Sequence, residues 1–136
     1  MFRLSIVTPE QVFLEDDVKS LIVPGTEGYL GVLSNHAPLI TALCPGKIEY
    51  RDASDVVQVL AVSGGFLEVS HNIATLLADS VERADTIDIE RARAAYDREK
   101  KRLVSAGASE TDIDLPSVKA AIERAANRIR IYEETH

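Results

Sequence analysis

The spacing of apolar residues changes once along this chain, near residue 85, and that change limits the architectures open to it. Before it, short runs alternate apolar and polar residues, the signature of half-buried strands. In "FRLSIV", Leu4 and Ile6 face one way and Arg3 and Ser5 the other, and in "KIEYR" Ile48 and Tyr50 oppose Lys47, Glu49 and Arg51. "DVVQVLAV" and "NIATLLAD" are apolar on both parities, which predicts strands covered on two faces. Turn chemistry separates these runs at "PGTEG", "SNHAP", "PG", "DASD", "SGG" and "HN". Strands this short with turns this close predict a β-sandwich or barrel over residues 1–85.

Residues 86–136 follow a helical period instead. Ile89, Ala92, Tyr96 and Leu103 share one face of a first helix, and "DREKKR" covers most of the rest. "SAGASETDIDLP" then breaks the helix, with Gly107 as the expected stop and Pro116 in the first turn of a second helix. That helix carries Val118, Ala121, Ile122, Ala125, Ile129 and Tyr132 at spacings of three and four. Both stripes are narrow and rich in alanine. At about 25 cal/mol per Å2 of apolar burial, such a hairpin gains only a few kcal/mol against the entropy of ordering it, so it is marginal and able to open.

Charge divides at the same place. Of the 22 acidic and 15 basic residues, 12 acidic but only 5 basic ones fall in residues 1–85, and the tail holds ten of each. An acidic head argues against nucleic acid as a partner. The chain is 46% hydrophobic but has no tryptophan, so aliphatic residues must make the core. A lone cysteine, Cys44, excludes an internal disulfide, and His36, His71 and His136 are too scattered to form a metal cluster. No basic leader or apolar stretch of roughly 18 residues is present, which predicts a soluble chain that meets a membrane only through partners.

Catalytic signals are weak. His36 sits in a turn without a neighbouring acid, Ser63 in "VSGGFLEV" lacks a nucleophile elbow, and the glycines of "GTEGYLG" match no phosphate-binding spacing. The stretch "DTIDIERARA" at the start of the first helix offers more. Asp88 is a competent N-cap, Ile87 and Ala92 are spaced as a hydrophobic staple, and Glu90 suits the positive end of the helix dipole. Arg91 and Arg93 oppose that dipole. In the second helix Arg124 and Arg128 lie four apart, where like charges repel unless an anion lies between them. An antiparallel hairpin would bring Arg91, Arg124 and Arg128 towards each other at a helix N-terminus, a setting for a polyphosphate. A solvated basic face is the plainer alternative.

The segments "GYLGVLSNHAPLITALCPGKI", "VSGGFLEV" and "LADSVERADTIDIERA", followed by the alanine-rich helices, closely resemble the epsilon-subunit family of bacterial-type rotary F1Fo ATP synthases over essentially the whole chain. The resemblance implies an N-terminal antiparallel β-sandwich, a C-terminal α-helical hairpin, and a non-catalytic subunit of the central stalk that needs no cofactor. It implies docking on the gamma subunit and on the c-ring of Fo, coupling of proton flow to ATP synthesis, and a place on the cytoplasmic face of the bacterial inner membrane. The hairpin would extend towards the alpha and beta subunits to inhibit hydrolysis.

Some members of the family bind ATP as a regulatory ligand on the folded hairpin. Their motif is matched here by Ile87, Asp88, Arg91 and Ala92, with Glu82 before it and Arg124 and Arg128 in the second helix. The resemblance implies that Glu82, Ile87 and Asp88 lie near the base and the arginines near the phosphates. Tyr29 stands where relatives can carry an acidic residue near the ring, so Glu27, Tyr29 and His36 are the candidate ring contacts. A free-standing nucleotide-binding regulatory module is the alternative reading.

Overall fold

The computed structural model describes the backbone of residues 1–109 and 115–136, and the side chains of residues 1–105 and 115–136. The chain divides into two compact units, Met1–Arg83 and Ala84–His136. The first is a β-sandwich of nine strands: β1 (Phe2–Val7), β2 (Val12–Gly25), β3 (Gly28–Val32), β4 (Leu39–Leu43), β5 (Gly46–Asp52), β6 (Val57–Val62), β7 (Gly65–Ser70), β8 (Ile73–Ala78) and β9 (Val81–Arg83).

One layer runs β1, β8, β7, β4, and the other runs β3, β2, β5, β6, β9. The long β2 joins them. Its first half pairs antiparallel with β1, and its second half pairs with β3 and β5. Every pairing is antiparallel except β1 with β8. Period-two burial places Leu4 and Ile6 of β1, Ile48 and Tyr50 of β5, Leu67 and Val69 of β7 and Leu76 of β8 in one aliphatic core between the layers.

The two strands expected to be covered on both faces differ. Leu60, Ala61 and Val62 at the end of β6 are consecutively buried, as expected, but Val56 and Val57 at the start of the same run are 51% and 44% exposed. In β8, by contrast, Ala74, Leu76 and Ala78 are buried while Ile73 and Leu77 are 44% and 54% exposed. A strand in a two-layer sandwich has one inner face, so its second set of apolar side chains faces outwards.

Turns fall where Gly, Asn and Asp permit them. The reversal between β2 and β3 uses only Thr26 and Glu27, so Pro24 and Gly25 remain in β2. Gly65 opens β7 at φ +142°, and a Cβ there would run into the Leu77 carbonyl oxygen of the neighbouring strand. Only glycine meets both conditions.

The second unit begins with a 3-10 turn, Ala84–Thr86, and continues as α1 (Ile89–Ser109) and α2 (Leu115–Thr135), an antiparallel hairpin. Pro116 lies in the first turn of α2, where its missing N–H costs nothing. The expected stop at Gly107 is overturned, since α1 runs two residues beyond it. One glycine costs about 1 kcal/mol against alanine, too little to end a helix that continues through alanines. The rest of the expected break, residues 110–114, lies outside the described residues. Ala92, Val118 and Ala125 of the expected stripes are buried, and Ile89, Tyr96, Leu103, Ile122, Ile129 and Tyr132 are half-buried. Among the described residues of α1 and α2, three buried ones fall outside those stripes: Glu99, Asn127 and Ile131.

Candidate functional site: the helix start and the outer sandwich face

Asp88 caps α1. Its Oδ1 accepts a hydrogen bond from the Arg91 N–H at 3.1 Å, and its carbonyl oxygen accepts the Ala92 N–H at 3.0 Å, the first helical bond. Ile87, which precedes the cap, is 6% exposed, and Ala92 is fully buried, as the staple spacing requires. The 3-10 turn delivers the chain to this point through a bond from the Ile87 N–H to the Ala84 carbonyl oxygen. Four members of the expected nucleotide motif, Ile87, Asp88, Arg91 and Ala92, therefore lie together at the cap and start of α1, with Arg91 exposed beside an exposed carboxylate.

The arginines are spread along the hairpin. Arg93 Nη2 lies 3.9 Å from Glu133 Oε2, and Tyr96 shares a groove with Ala126, Ile129 and Arg130. Residue 93 is thus level with residue 133 of α2. At 1.5 Å per residue, this register sets Arg91 roughly 10 Å along the axis from Arg128 and roughly 16 Å from Arg124. Arg124 is exposed and Arg128 half-buried, one turn apart on α2. Glu82 belongs to the sandwich unit, half-buried on β9 and paired with Ala61 of β6.

The three candidate ring contacts all lie along β3, which pairs only with β2 among the described strands. Glu27 is exposed in the turn before it, and Tyr29 is 61% exposed, with its hydroxyl accepting the Lys47 N–H at 3.2 Å. His36 follows the other end, its N–H bonded to the Leu33 carbonyl oxygen at 3.2 Å and its Nδ1 donating to the Ala37 carbonyl oxygen at 2.7 Å. A five-residue strand of about 3.3 Å per residue separates Glu27 from that turn. The three residues therefore form a strip rather than one cluster. The turn beyond β3 is tied down by the Asn35 N–H, which donates to Asn72 Oδ1 at 2.7 Å, while Asn72 Nδ2 donates to the Met1 carbonyl oxygen at 3.1 Å.

A second surface was not marked by any motif. Register aligns Ala42, Phe66, Leu77, Val7 and Val12 in one row across β4, β7, β8, β1 and β2, all on the outer face. Phe66, Leu77 and Val12 are 57%, 54% and 54% exposed, and Ile40, two residues from Ala42 on the same face, is 74% exposed. Adjacent apolar side chains spanning five strands are the mark of a docking face. The only sequence trace was apolar residues on both parities of β8.

Two family models tile the chain: "ATP synthase, Delta/Epsilon chain, beta-sandwich domain" matches residues 1–84, and "ATP synthase, Delta/Epsilon chain, long alpha-helix domain" matches residues 85–133. The ATP synthase epsilon chain of Desulforamulus reducens is 44% identical over 131 residues, covering 96% of each chain. That of Lacticaseibacillus casei is 41% identical over 133 residues, covering 96% of this chain and 93% of its own. Among solved structures, a chain of the Euglena gracilis mitochondrial ATP synthase (OSCP, F1 and c-ring) matches with a TM-score of 0.78 at 19% identity, covering 98% of this chain and 80% of that one. A chain from the central stalk and c-ring of the Tetrahymena thermophila enzyme matches with a TM-score of 0.59 at 18% identity, covering 98% and 94%. At those identities the structural likeness speaks for the fold.

Proposed function

The chain belongs to the delta/epsilon chain family of ATP synthases, and from that premise we propose that it is the epsilon subunit of a bacterial F1Fo enzyme, a non-catalytic part of the rotor. The observation that carries this reading is the outer apolar row of the sandwich, joined to a full-length match with epsilon chains. A monomer gains nothing by holding Phe66 and Leu77 in water. A permanent neighbour explains them, and we assign that face to the gamma subunit. The strip along β3, with Glu27, Tyr29, Leu33 and His36, is the proposed contact with the c-ring. The subunit then couples proton flow to ATP synthesis on the cytoplasmic face of the inner membrane. It meets the membrane only through the complex, and among the described residues no helix is long and apolar enough to cross one.

The hairpin is proposed to be regulatory. Closed, it leaves the enzyme free. Open, it reaches the alpha and beta subunits and stops hydrolysis. ATP holds it closed because a ligand that binds one state stabilises that state by its differential affinity. The spread of the arginines favours an extended ligand over a single phosphate ion: Arg91 and Arg128, roughly 10 Å apart along the axis, can both reach a nucleotide triphosphate.

A pull-down with the cognate gamma subunit tests the assembly. Wild type is expected to bind and Leu77→Asp to lose binding while keeping its fold; a wild-type chain without affinity for gamma would refute the rotor assignment. Titration of the full chain with ATP tests the ligand. Arg91→Ala and Arg128→Ala are each expected to weaken binding about tenfold, in line with loss of one charge-assisted contact. Unchanged affinity in both would remove the site.

A further inference from the structure

Glu99 stands in the wrong place for a charged residue. Successive turns of α1 put it on the same face as Ala92, Tyr96 and Leu103, and Tyr96 lines the groove against Ala126, Ile129 and Arg130 of α2. This face meets α2, and Glu99 and Ala92 are the residues of α1 buried on it among those described, with Glu99 7% exposed. A carboxylate thus occupies the centre of an alanine-rich helix seam.

Among the described residues its compensation is local. Arg102 Nη1 donates to both carboxylate oxygens at 3.1 and 3.3 Å, and Arg98 Nε lies 3.6 Å away. Both arginines belong to α1, one turn and one residue away, and their side chains are 52% and 66% exposed. These pairs therefore accompany α1 whether or not α2 lies against it; closure strengthens them, but both arginines stay more than half exposed, so that gain is limited. Desolvation of the carboxylate does not cancel, because it is incurred only when α2 covers the face. An apolar side chain would have favoured closure at the same position.

We propose that Glu99 is a built-in destabiliser of the closed hairpin, which lowers its stability to the range in which a ligand or a neighbouring subunit can shift it. The inference rests on the regulatory reading of the hairpin and adds the residue that sets its balance. It also separates two roles on α1: Asp88 and Arg91 at the helix start meet the ligand, and Glu99, two turns later, sets how much ligand energy is needed.

Amide hydrogen exchange of the full chain, read on α2, tests this with Glu99→Gln, which removes the charge and keeps the shape, and Glu99→Leu, which makes the seam apolar. Both are expected to slow exchange of α2 amides, by roughly tenfold for Glu99→Leu and less for Glu99→Gln. Leu103→Ala, which removes apolar burial from the same face, is expected to speed it. If the wild-type hairpin opens by itself but both Glu99 variants exchange at the wild-type rate or faster, the role of Glu99 is refuted and the switch survives. If wild-type α2 amides exchange as slowly as those of the sandwich core, the opening hairpin is refuted and the role of Glu99 with it.

Discussion

Replacing Asp88 by alanine removes one 3.1 Å hydrogen bond from the Arg91 N–H and one negative charge from the start of α1. An N-cap loss costs about 1 kcal/mol, and a charge at a helix N-terminus contributes about 0.3–1 kcal/mol. These contributions overlap, because the carboxylate that caps is the charge that meets the dipole. The expected loss is therefore about 1–1.4 kcal/mol, a five- to tenfold fall in the ratio of formed to frayed helix start. The first turns also carry Arg91 and Arg93, which oppose the dipole, so the remaining acid there, Glu90, cannot make good the loss. Asp88→Asn separates the two effects, since asparagine caps about as well as aspartate without its charge.

Residue-resolved hydrogen exchange is the assay. Arg91 and Ala92 amides should exchange about five- to tenfold faster in Asp88→Ala and no more than a few-fold faster in Asp88→Asn. Unchanged exchange in Asp88→Ala would refute the cap. Equal loss in both variants would show that the charge, not the hydrogen bond, holds the helix start. ATP affinity measured on the same proteins adds a second axis: Asp88→Asn should bind ATP more weakly than the stability of its helix start explains, if the carboxylate also touches the ligand.

Three further expectations concern the sandwich. The Asp52 carboxyl sits below its ordinary value, chiefly through the hydrogen bond it accepts from the Val56 N–H, which outweighs partial desolvation and is supported by Gln58, Ser54 and the charge of Lys19. A group with a depressed folded pKa contributes stability that is present above its unfolded value, near 3.8, and is lost as pH falls through the folded one. Acid unfolding below about pH 4 should accordingly be shallower in Asp52→Asn, and identical pH profiles would contradict this. Ile48→Ala, at a fully buried site in the middle of β5, should cost about 2–5 kcal/mol in urea unfolding, and a loss under 1 kcal/mol would argue against the core described. Gly65→Ala places a Cβ against the Leu77 carbonyl oxygen at φ +142°, so it should lower the melting temperature of the sandwich, and a neutral result would mean that β7 and β8 can separate without loss.

Much of this molecule was legible because it is written in local chemistry. The change of apolar period near residue 85 separated strands from helices, Asp88 declared its cap by its own side chain, and Pro116 marked the first turn of α2. Each depends on neighbours within a few residues. β8 was misread for the complementary reason: apolar residues on both parities signify either two covered faces or one covered face and one docking face. Only the arrangement of layers distinguishes them. Gly107 failed as a stop because a propensity of about 1 kcal/mol yields to the length of helix around it.

By itself, the sequence determined the change from strands to helices, the inner faces of β1 and β5 and the residues of the helix start, because periodicity and capping act over distances that the chain itself spans. Tertiary structure alone decided what lies side by side between elements. The apolar row from Ala42 to Val12 exists only once five strands are in register, the distance from Arg91 to Arg128 follows from the sliding register of two helices, and the burial of Glu99 on α1 shows only in the folded chain. Those placements depend on contacts between residues tens of positions apart, where no local pattern reaches.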